Sequence, residues 1–286
     1  MFLEPMLLET RPTAFDSPAH IFEPKIDGHR LLLYISAGRV RLFTRHRNEC
    51  TRQYPELWSV PSDADELILD GEVASVDPAT GIFDFDRVME RFQLKKGDRI
   101  RRAAERRPVN FVVFDILRLN GRDLRGLPLM DRKRILANVL QPNEYFTLIS
   151  YVEGRGRDLF EAISARKWEG IVGKVKGSSY VGRKSSEWVK IIRWEYHDVY
   201  IAGYRKSELG WLAHVQEEGR LRPAGIIEYG ITPTAARAFY GVSKQLVAGE
   251  NGDFVYLEPK IRARVKTRNW TKAGMLRTPA FVKFIV

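Results

Sequence analysis

The pattern of predicted strands and helices changes near residue 194, and this change constrains the fold more than any other feature. Before it, segments with the alternation of strands mix with segments of helical period. After it, short strand-like runs surround one helix candidate at 234–247, a pattern typical of a small β-barrel. A length of 286 residues also favours two domains. We therefore predict domains at 1–194 and 195–286.

Several elements of the first domain can be predicted from local patterns. The dipeptide Ala37-Gly38 indicates a hairpin between strands at 31–36 and 39–45. The nearly unbroken apolar run 109–117 indicates a strand that is buried on both faces. Residues before Glu23 are predicted to be unstructured. Further strands are expected at 66–76, 170–175 and 187–192, and helices at 83–92, 131–140 and 158–166.

Charge and cysteine content narrow the class of protein. The chain holds 47 Lys and Arg against 36 Asp and Glu, a net charge of +11, which indicates a polyanionic partner such as nucleic acid. The single cysteine, Cys50, excludes an internal disulfide framework and a multi-cysteine zinc site. No apolar run approaches the roughly 20 residues of a membrane span, and the first residues lack the basic region of a signal peptide. We expect a cytoplasmic protein with no membrane partner.

The segment 23–30 places Lys25 ahead of Asp27, Gly28 and Arg30. A lysine amine attacks a phosphate only when it is neutral, so burial or nearby positive charge must lower its pKa. Gly28 allows the backbone to approach a ligand closely, and Arg30 offers a fork of donors for phosphate or ribose oxygens. A turn of charged residues before a strand has the same pattern, and this segment alone does not decide between the two.

Four more segments follow in order and carry Asp70-Gly71-Glu72, Phe114-Asp115, Glu169 and Lys190. Taken singly, each has a structural explanation, such as a core aromatic, a surface carboxylate or an edge-strand lysine. Taken together and in this order, the five segments are similar to the motifs of covalent nucleotidyltransferases. Over nearly its whole length the chain resembles the ATP-dependent DNA ligases, in particular the small bacterial ones and the ligase domains of bacterial end-joining enzymes.

The resemblance implies a role for each matching residue. Lys25 is implied to attack the α-phosphate of ATP, which gives lysyl-AMP and pyrophosphate. Glu72 and Glu169 are implied to hold Mg²⁺ or Mn²⁺, and Asp27 to help place the 3′-OH of the DNA. The implied ATP contacts are Glu23 and Phe114 at the adenine, Arg30 and Glu72 at the ribose, Arg45 at the ribose or the 5′-phosphate of the nick, and the basic residues Lys174, Lys190 and Arg277.

The chain departs from the family pattern at two places. A second lysine usually follows two positions after the one at 190, but Ile192 stands there, with Arg193 next. In a regular strand, the side chain of Arg193 points to the opposite face. The C-terminal motif is shortened to 276–283, so Arg277 and Lys283 are the cations left to assist the reaction with ATP.

A second basic feature is the segment 260–268, in which cationic residues alternate with small or apolar ones. Because a strand has a period of two, one face carries only cations and the other Ile261, Ala263, Val265 and Thr267. We predict that the cationic face follows a phosphate backbone, although a solvated edge strand has the same pattern. A separate cluster at 95–107 holds seven cations and is compatible with a solvated helix or with DNA contact. The cations of the alternating strand are Lys260, Arg262, Arg264, Lys266 and Arg268.

The resemblance implies an α+β protein in which a nucleotidyltransferase domain, with antiparallel sheets and helices of the ATP-grasp-like ligase type, precedes an OB-fold β-barrel. Only a short stretch precedes Lys25, so ATP rather than NAD is the expected donor. The implied substrate is nicked duplex DNA, bound by a monomer in the bacterial nucleoid together with DNA-end-binding or repair proteins. The alternatives are an RNA ligase, an mRNA-capping guanylyltransferase and a non-catalytic OB-fold binding protein.

Overall fold

The computed structural model describes residues 2–78 and 80–285, and the chain divides into two units between Arg193 and Trp194. This division falls one residue from the predicted boundary. The strands of the first unit are β1 (Leu7–Thr10), β2 (Ser17–Pro24), β3 (His29–Ser36), β4 (Arg39–Thr44), β5 (Leu67–Ala74), β6 (Asn110–Leu119), β7 (Arg122–Asp123), β8 (Phe146–Leu148), β9 (Val152–Gly154), β10 (Gly170–Val175) and β11 (Lys184–Ile192). Its helices are α1 (Phe85–Gln93), α2 (Gly97–Arg106), α3 (Leu129–Val139) and α4 (Gly156–Ala165).

Two sheets organise the first unit. One has the order β1-β11-β10-β2-β9, and the other has the order β4-β3-β5-β6-β7 with β8 also paired to β6. Pairing is antiparallel, as expected, except between β1 and β11 and between β6 and β8, which are parallel. The resulting unit is a mixed α+β structure that is rich in sheet.

Most predicted elements of this unit are confirmed. The hairpin of β3 and β4 turns at Ala37 and Gly38, whose φ angles of 49° and 70° are both positive, as a tight hairpin turn requires. Strand β6 is buried on both faces because α3 packs on it and the main apolar cluster surrounds Phe111 and Val113.

The expectation of an unstructured start is wrong. Residues of β1 pair with β11, and β2 pairs with β10 and β9, all of which lie far away in sequence. Met6 in this segment is fully buried and packs with Trp188. Partners so distant leave no local pattern, which explains why the strands could not be predicted.

The second unit is an antiparallel six-stranded sheet with one α-helix among its described residues, α5 (Pro233–Ser243). The sheet has the order β14-β13-β12-β16-β15, and β17 also pairs with β16. Its core contains Trp211 and Phe239, whose ring centroids lie 4.4 Å apart. The strands are β12 (Glu195–Arg205), β13 (Trp211–Glu217), β14 (Arg220–Ile227), β15 (Val247–Asn251), β16 (Phe254–Thr267) and β17 (Ala280–Ile285).

Strand β16 contains most of the predicted alternating segment 260–268 and extends it towards the N-terminus to Phe254. Pro259 does not interrupt this strand. The pairing of β16 with β12 shifts register between the partners of Ile201 and Gly203, and the proline lies in that irregular stretch. Across the described residues, no helix has both the length and the apolar character needed to cross a membrane.

An ion pair with no solvent exposure fixes α3 to β6. The guanidinium of Arg132 donates from Nε and Nη2 to the two carboxylate oxygens of Asp115, both at 2.9 Å. Its Nη1 donates to the carbonyl of Ser178 at 2.9 Å and to that of Leu127. Removing one partner of such a pair leaves a buried charge without compensation.

We expect Arg132→Met to lower the free energy of unfolding by about 3–5 kcal/mol, because Asp115 would remain buried and charged. The control is Arg134→Met on the same helix, whose side chain is 77% exposed and pairs with Asp131; it should cost less than about 1 kcal/mol. Urea denaturation of both variants measures the difference. Equal stability of the two would contradict the structural importance of the Asp115 pair.

Candidate active site

A cleft lies in the first unit, where residues of both sheets meet. One wall comes from β2, β10 and β11, and the other from β3, β5 and β6. Six of the residues implied by the family resemblance line it: Glu23, Lys25, Arg30, Glu72, Phe114 and Lys174.

Lys25 follows directly on β2, and Glu169 directly precedes β10. The antiparallel register pairs Pro24 with Ile171, and the Lys25 amide donates to the Gly170 carbonyl at 2.8 Å. The two side chains therefore meet, with Lys25 Nζ 2.6 Å from Glu169 Oε2. The Lys25 side chain is 20% exposed and Glu169 only 3%, so the amine is the accessible member of the pair.

Gly28 brings the segment after Lys25 against β5. A Cβ atom at this position would lie 2.2 Å from the carbonyl oxygen of Val73 and 2.9 Å from Cγ of Glu72. The glycine is therefore required by the close approach of the backbone to the strand that carries Glu72.

Glu72 is the most perturbed carboxyl group of the cleft. Burial raises its pKa to about 8; the positive charges of Lys25 and Arg30 oppose this rise, and the negative charge of Glu169 adds to it. A carboxyl group with this pKa is mostly protonated at neutral pH until a cation stabilises its charge.

A buried charged triad lies deeper in the cleft. The two Glu23 oxygens contact Nζ of Lys133 at 2.5 Å and Nζ of Lys174 at 2.7 Å. Burial lowers the pKa of Lys174 to about 8, although Glu23 opposes the shift. Burial alone would raise the pKa of Glu23, but the two lysines outweigh it and the pKa lies below its usual value. Sequence reasoning missed Lys133, because it lies on α3 outside every recognised motif.

Arg30 is held by β5 and by the loop before β11. Its Nε and Nη2 donate to the Asp70 carboxylate at 2.9 and 2.6 Å, and its Nη1 donates to the carbonyl of Met6 at 2.7 Å. The Tyr180 hydroxyl donates to the same carboxylate at 2.6 Å. Asp70 and Tyr180 are thus supporting residues, and only Asp70 had a sequence signal, through its place beside Gly71-Glu72.

Phe114 presents its ring to the cleft among cations and another aromatic ring. Lys174 Nζ lies 4.4 Å from the ring centroid and the Arg30 guanidinium carbon 5.3 Å from it. Trp188 makes an edge contact at 6.4 Å between centroids. The ring is only partly buried, so one face is available to a planar ligand.

The remaining predicted residues of the first unit lie around this cleft or away from it. Lys190 pairs across the strands with Val172, a lining residue, so both side chains share one face of the sheet. Asp27 is 9% exposed and follows Lys25 by two residues. Arg45 is exposed in the turn after β4 and does not line the cleft. Arg193 donates to the carbonyls of Trp168 and Lys167. This agrees with the prediction that its side chain points to the opposite face of the strand from Lys190.

In the second unit, the alternation predicted for 260–268 is confirmed. Ala263, Val265 and Thr267 are buried, and the five cations are exposed or partly exposed. Arg264 forms a bidentate pair with Asp198 of β12, at 2.8 and 3.1 Å. Lys283 of β17 lies opposite Arg264 and adds a cation to the same face. Arg277 lies between β16 and β17, where its carbonyl accepts from Thr267 Oγ1 at 2.6 Å.

A divalent metal is compatible with the cleft. The described residues contain no group of three or more His, Cys, Asp or Glu arranged as a metal site. Mg²⁺, however, is commonly held by one or two carboxylates together with substrate phosphates. Glu72 and Glu169 suit this role, since each repels the other's charge and a cation would relieve the repulsion.

Comparison with known proteins agrees with this geometry. The sequence profile of the ATP dependent DNA ligase domain matches residues 5–191. The SPbeta prophage-derived DNA ligase-like protein LigB of Bacillus subtilis is 34% identical over 282 residues, which cover 98% of each chain. The multifunctional end-joining protein LigD of Mycobacterium tuberculosis is 30% identical over 90% of this chain, which spans 35% of the length of LigD.

Solved structures extend the likeness to three dimensions. The ligase domain of M. tuberculosis LigD has a TM-score of 0.58 at 28% identity and covers 99% of this chain and 95% of its own. Mycobacterial DNA ligase D complexed with ATP has a TM-score of 0.60 at 27% identity, with the same coverage. The chain belongs to the ATP-dependent DNA ligase family. It is similar to small DNA ligases and to the ligase domain of LigD, and it functions as an ATP-dependent DNA ligase.

The raised pKa of Glu72 makes stability depend on pH. Between its ordinary value of 4.5 and about 8, the folded protein keeps the proton and the unfolded chain has lost it, so stability falls as pH rises. Glu72→Gln should remove this loss, which amounts to at most about 5 kcal/mol at 1.36 kcal/mol per pKa unit. Urea denaturation from pH 5 to pH 8 without metal measures it. The control Glu161→Gln, an exposed residue of α4, should retain the wild-type profile, and an unchanged profile in Glu72→Gln would contradict the assignment.

Proposed function

We propose that this protein seals 5′-phosphate/3′-OH nicks in duplex DNA, and that Lys25 carries the AMP. In the first step, Lys25 Nζ forms a bond to the α-phosphorus of ATP, the bond from that phosphorus to the bridging oxygen breaks, and pyrophosphate leaves. In the second, the AMP passes to the 5′-phosphate of the nick. In the third, the 3′-OH attacks that phosphate and AMP is released.

The observation that carries the proposal is the contact of Lys25 Nζ with Glu169 at 2.6 Å inside the cleft. The amine must lose a proton before or during attack, and a carboxylate at hydrogen-bond distance is placed to accept it. No other lysine that lines the cleft is similarly accessible, since Lys174 is only 2% exposed and bound to Glu23.

The rest of the cleft suits a purine nucleotide. Phe114 would stack on the adenine, and the Glu23 carboxylate would accept a hydrogen bond from its amino group. Guanine carries a carbonyl at that position, which a carboxylate repels, and this favours ATP over GTP. Arg30 and Lys190 would provide positive charge for the ribose and phosphates.

Glu72 and Glu169 would hold the divalent cation, Mg²⁺ or Mn²⁺, which supplies charge neutralisation for the phosphates. Glu72 would then release the proton that burial retains, because a bound cation stabilises its carboxylate. Asp27 would help place the 3′-OH.

The second unit is proposed to be an OB-fold domain that binds DNA. The support is its six-stranded antiparallel sheet with a single described helix, and the cationic face of β16, which Lys283 extends. Asp198 pairs with Arg264 and, at 4.0 Å, with Arg262, and Glu258 pairs with Lys260, so these two acids neutralise part of this face. The five cations of the segment 260–268 and Lys283 outnumber them, which leaves a surplus of positive charge for phosphates. Arg45 and Arg277 are proposed to meet the nick and the nucleotide respectively.

The biological setting is proposed to be repair of DNA ends in the bacterial nucleoid. LigD, to which this chain is similar over one third of LigD's length, is named for non-homologous end joining. A ligase in such a pathway acts beside DNA-end-binding proteins, and we propose such proteins as partners.

We expect Lys25→Ala to form no lysyl-AMP with labelled ATP and Mg²⁺, because the nucleophile is lost. The variant should still seal in part a nick that is already adenylylated, since that step uses the 3′-OH. Gel analysis of labelled protein and of the DNA product measures both steps.

The control for this experiment is Lys184→Ala, an exposed lysine of β11, which should be labelled as the wild type is. Labelling of Lys25→Ala, or labelling of the wild type by GTP in place of ATP, would overturn the proposal. Sealing of nicked RNA but not of nicked DNA would identify an RNA ligase instead.

The proposed contact between DNA and the cationic face of β16 can be tested by the salt dependence of DNA binding. Each phosphate contact adds a slope of about −0.9 to log K against log[salt]. Replacing Arg262 and Arg264 together by Gln should weaken binding to nicked DNA and flatten the slope by up to about 2 units. The control replaces the exposed Arg220 and Arg237 by Gln, an equal change of charge away from this face. A slope equal to that of the control would show that β16 does not contact DNA.

A further inference from the structure

A second cavity, of about 140 Å³, opens in the first unit, beside α1 and α2. It begins where β5 ends, three residues beyond Glu72, at the largely buried Ser75. Three arginines line it, Arg87 and Arg91 from α1 and Arg107 at the end of α2. Leu94, Ala103 and Val109 supply the apolar part of its wall.

Arg91 lines this cavity and has one donor nitrogen without a hydrogen-bond partner among the described residues. Its side chain is 4% exposed, Nε donates to the carbonyl of Gln53 at 2.7 Å, and Nη2 donates to Glu56 at 2.7 Å. The third nitrogen, Nη1, is buried and has no hydrogen-bond partner among the described residues. Leaving a charged buried donor unsatisfied is unfavourable, so the site favours an acceptor that enters from the cavity.

The acceptor that fits is an anion. A guanidinium stays charged at all accessible pH values and matches phosphate oxygens with two N–H groups. The acidic residues near the cavity do not fill this role. Glu56 binds Arg91 through Nη2 and accepts from the amide of Val109. Asp84 binds Arg87, and Glu90 is exposed at the rim of the cavity. None of them contacts Nη1.

The surface outside the cavity extends this positive charge. Seven cations of the segment 95–107 are exposed, against the acids Asp98 and Glu105, and none of the seven forms an ion pair with a described residue. Dense like charges repel, and a polyanion relieves that repulsion along the whole helix, whereas a single free phosphate would not. The seven are Lys95, Lys96, Arg99, Arg101, Arg102, Arg106 and Arg107.

We infer that this cavity binds a backbone phosphate of DNA, with Arg91 Nη1 and the Arg107 guanidinium as donors and α2 lying along the neighbouring phosphates. The inference rests on the proposed DNA substrate. It adds a contact that is separate from the ATP cleft and independent of the β16 face. Such a contact does not depend on the base sequence or on the presence of a nick, because every phosphate offers the same oxygens.

The first test is Arg107→Gln, which removes an exposed donor without disturbing the buried Arg91. Binding to a fluorescent duplex should weaken by about three- to tenfold, equally for nicked and intact DNA, and the salt slope should flatten by about 0.9. The control is Arg134→Gln, an exposed arginine on α3. The inference is overturned if Arg107→Gln and the control bind DNA alike.

A second test uses the floor of the cavity. Ser75→Asp places a carboxylate among the arginines, and Ser75→Asn is its neutral match. The aspartate variant should bind DNA several-fold more weakly than the asparagine variant, with no loss of thermal stability relative to it. Equal DNA binding by two folded variants would contradict the inference.

Inorganic phosphate distinguishes the source of the anion. If the cavity takes free phosphate instead of DNA, phosphate should raise the Tm of the wild type more than that of Arg107→Gln, with DNA binding equal in both; this outcome overturns the assignment to DNA. Formation of lysyl-AMP needs no DNA, so it should be normal in every variant of this series. Loss of lysyl-AMP in the wild type would be a failure of the proposed function, and is therefore separable from a failure of this inference.

Discussion

The pairing of β2 with β10 is the contact on which the active site depends. It places the residue after one strand beside the residue before the other, and so brings Lys25 Nζ within 2.6 Å of Glu169. The same register aligns Glu23 with Val172 and Ile21 with Lys174, which puts Glu23 and Lys174, two residues proposed to bind the nucleotide, on one face. On the other side of β10, Gly170, with a φ of 149°, permits the close approach of β11, because a Cβ there would lie 2.1 Å from the Ile191 carbonyl oxygen.

The cleft also shows how charge is balanced before any ligand enters. Glu23 lies between Lys133 and Lys174, Arg30 is bound to Asp70, and Lys25 to Glu169. Each of these ionic groups thus has a partner of opposite charge. Glu72 differs, because burial and its acidic neighbour favour its neutral form. Transfer of AMP depends mostly on positioning and charge neutralisation, and this arrangement provides for both.

Local patterns predicted much of this structure. Turn residues and periodicity are local properties of a sequence. They therefore predicted the hairpin at Ala37-Gly38, the burial of β6 on both faces and the alternation of β16. The motif residues could be placed in one cleft only through their resemblance to a family. Strands β1 and β2 and the residue Lys133 could not be predicted, because their partners lie far away in sequence. The roles of all the site residues stay predictions, and Arg45, unlike the six lining residues, lies outside the cleft.

Lys25, the proposed nucleophile, and its carboxylate partner Glu169 are separated by 144 residues along the chain. During synthesis, Lys25 leaves the ribosome early, yet its partner strands β10 and β11 emerge only as the first unit nears completion. A nascent or truncated chain that stops before β11 therefore has the lysine without the environment that directs it at a phosphate. The proposed reaction with ATP therefore requires nearly all of the first unit to be present.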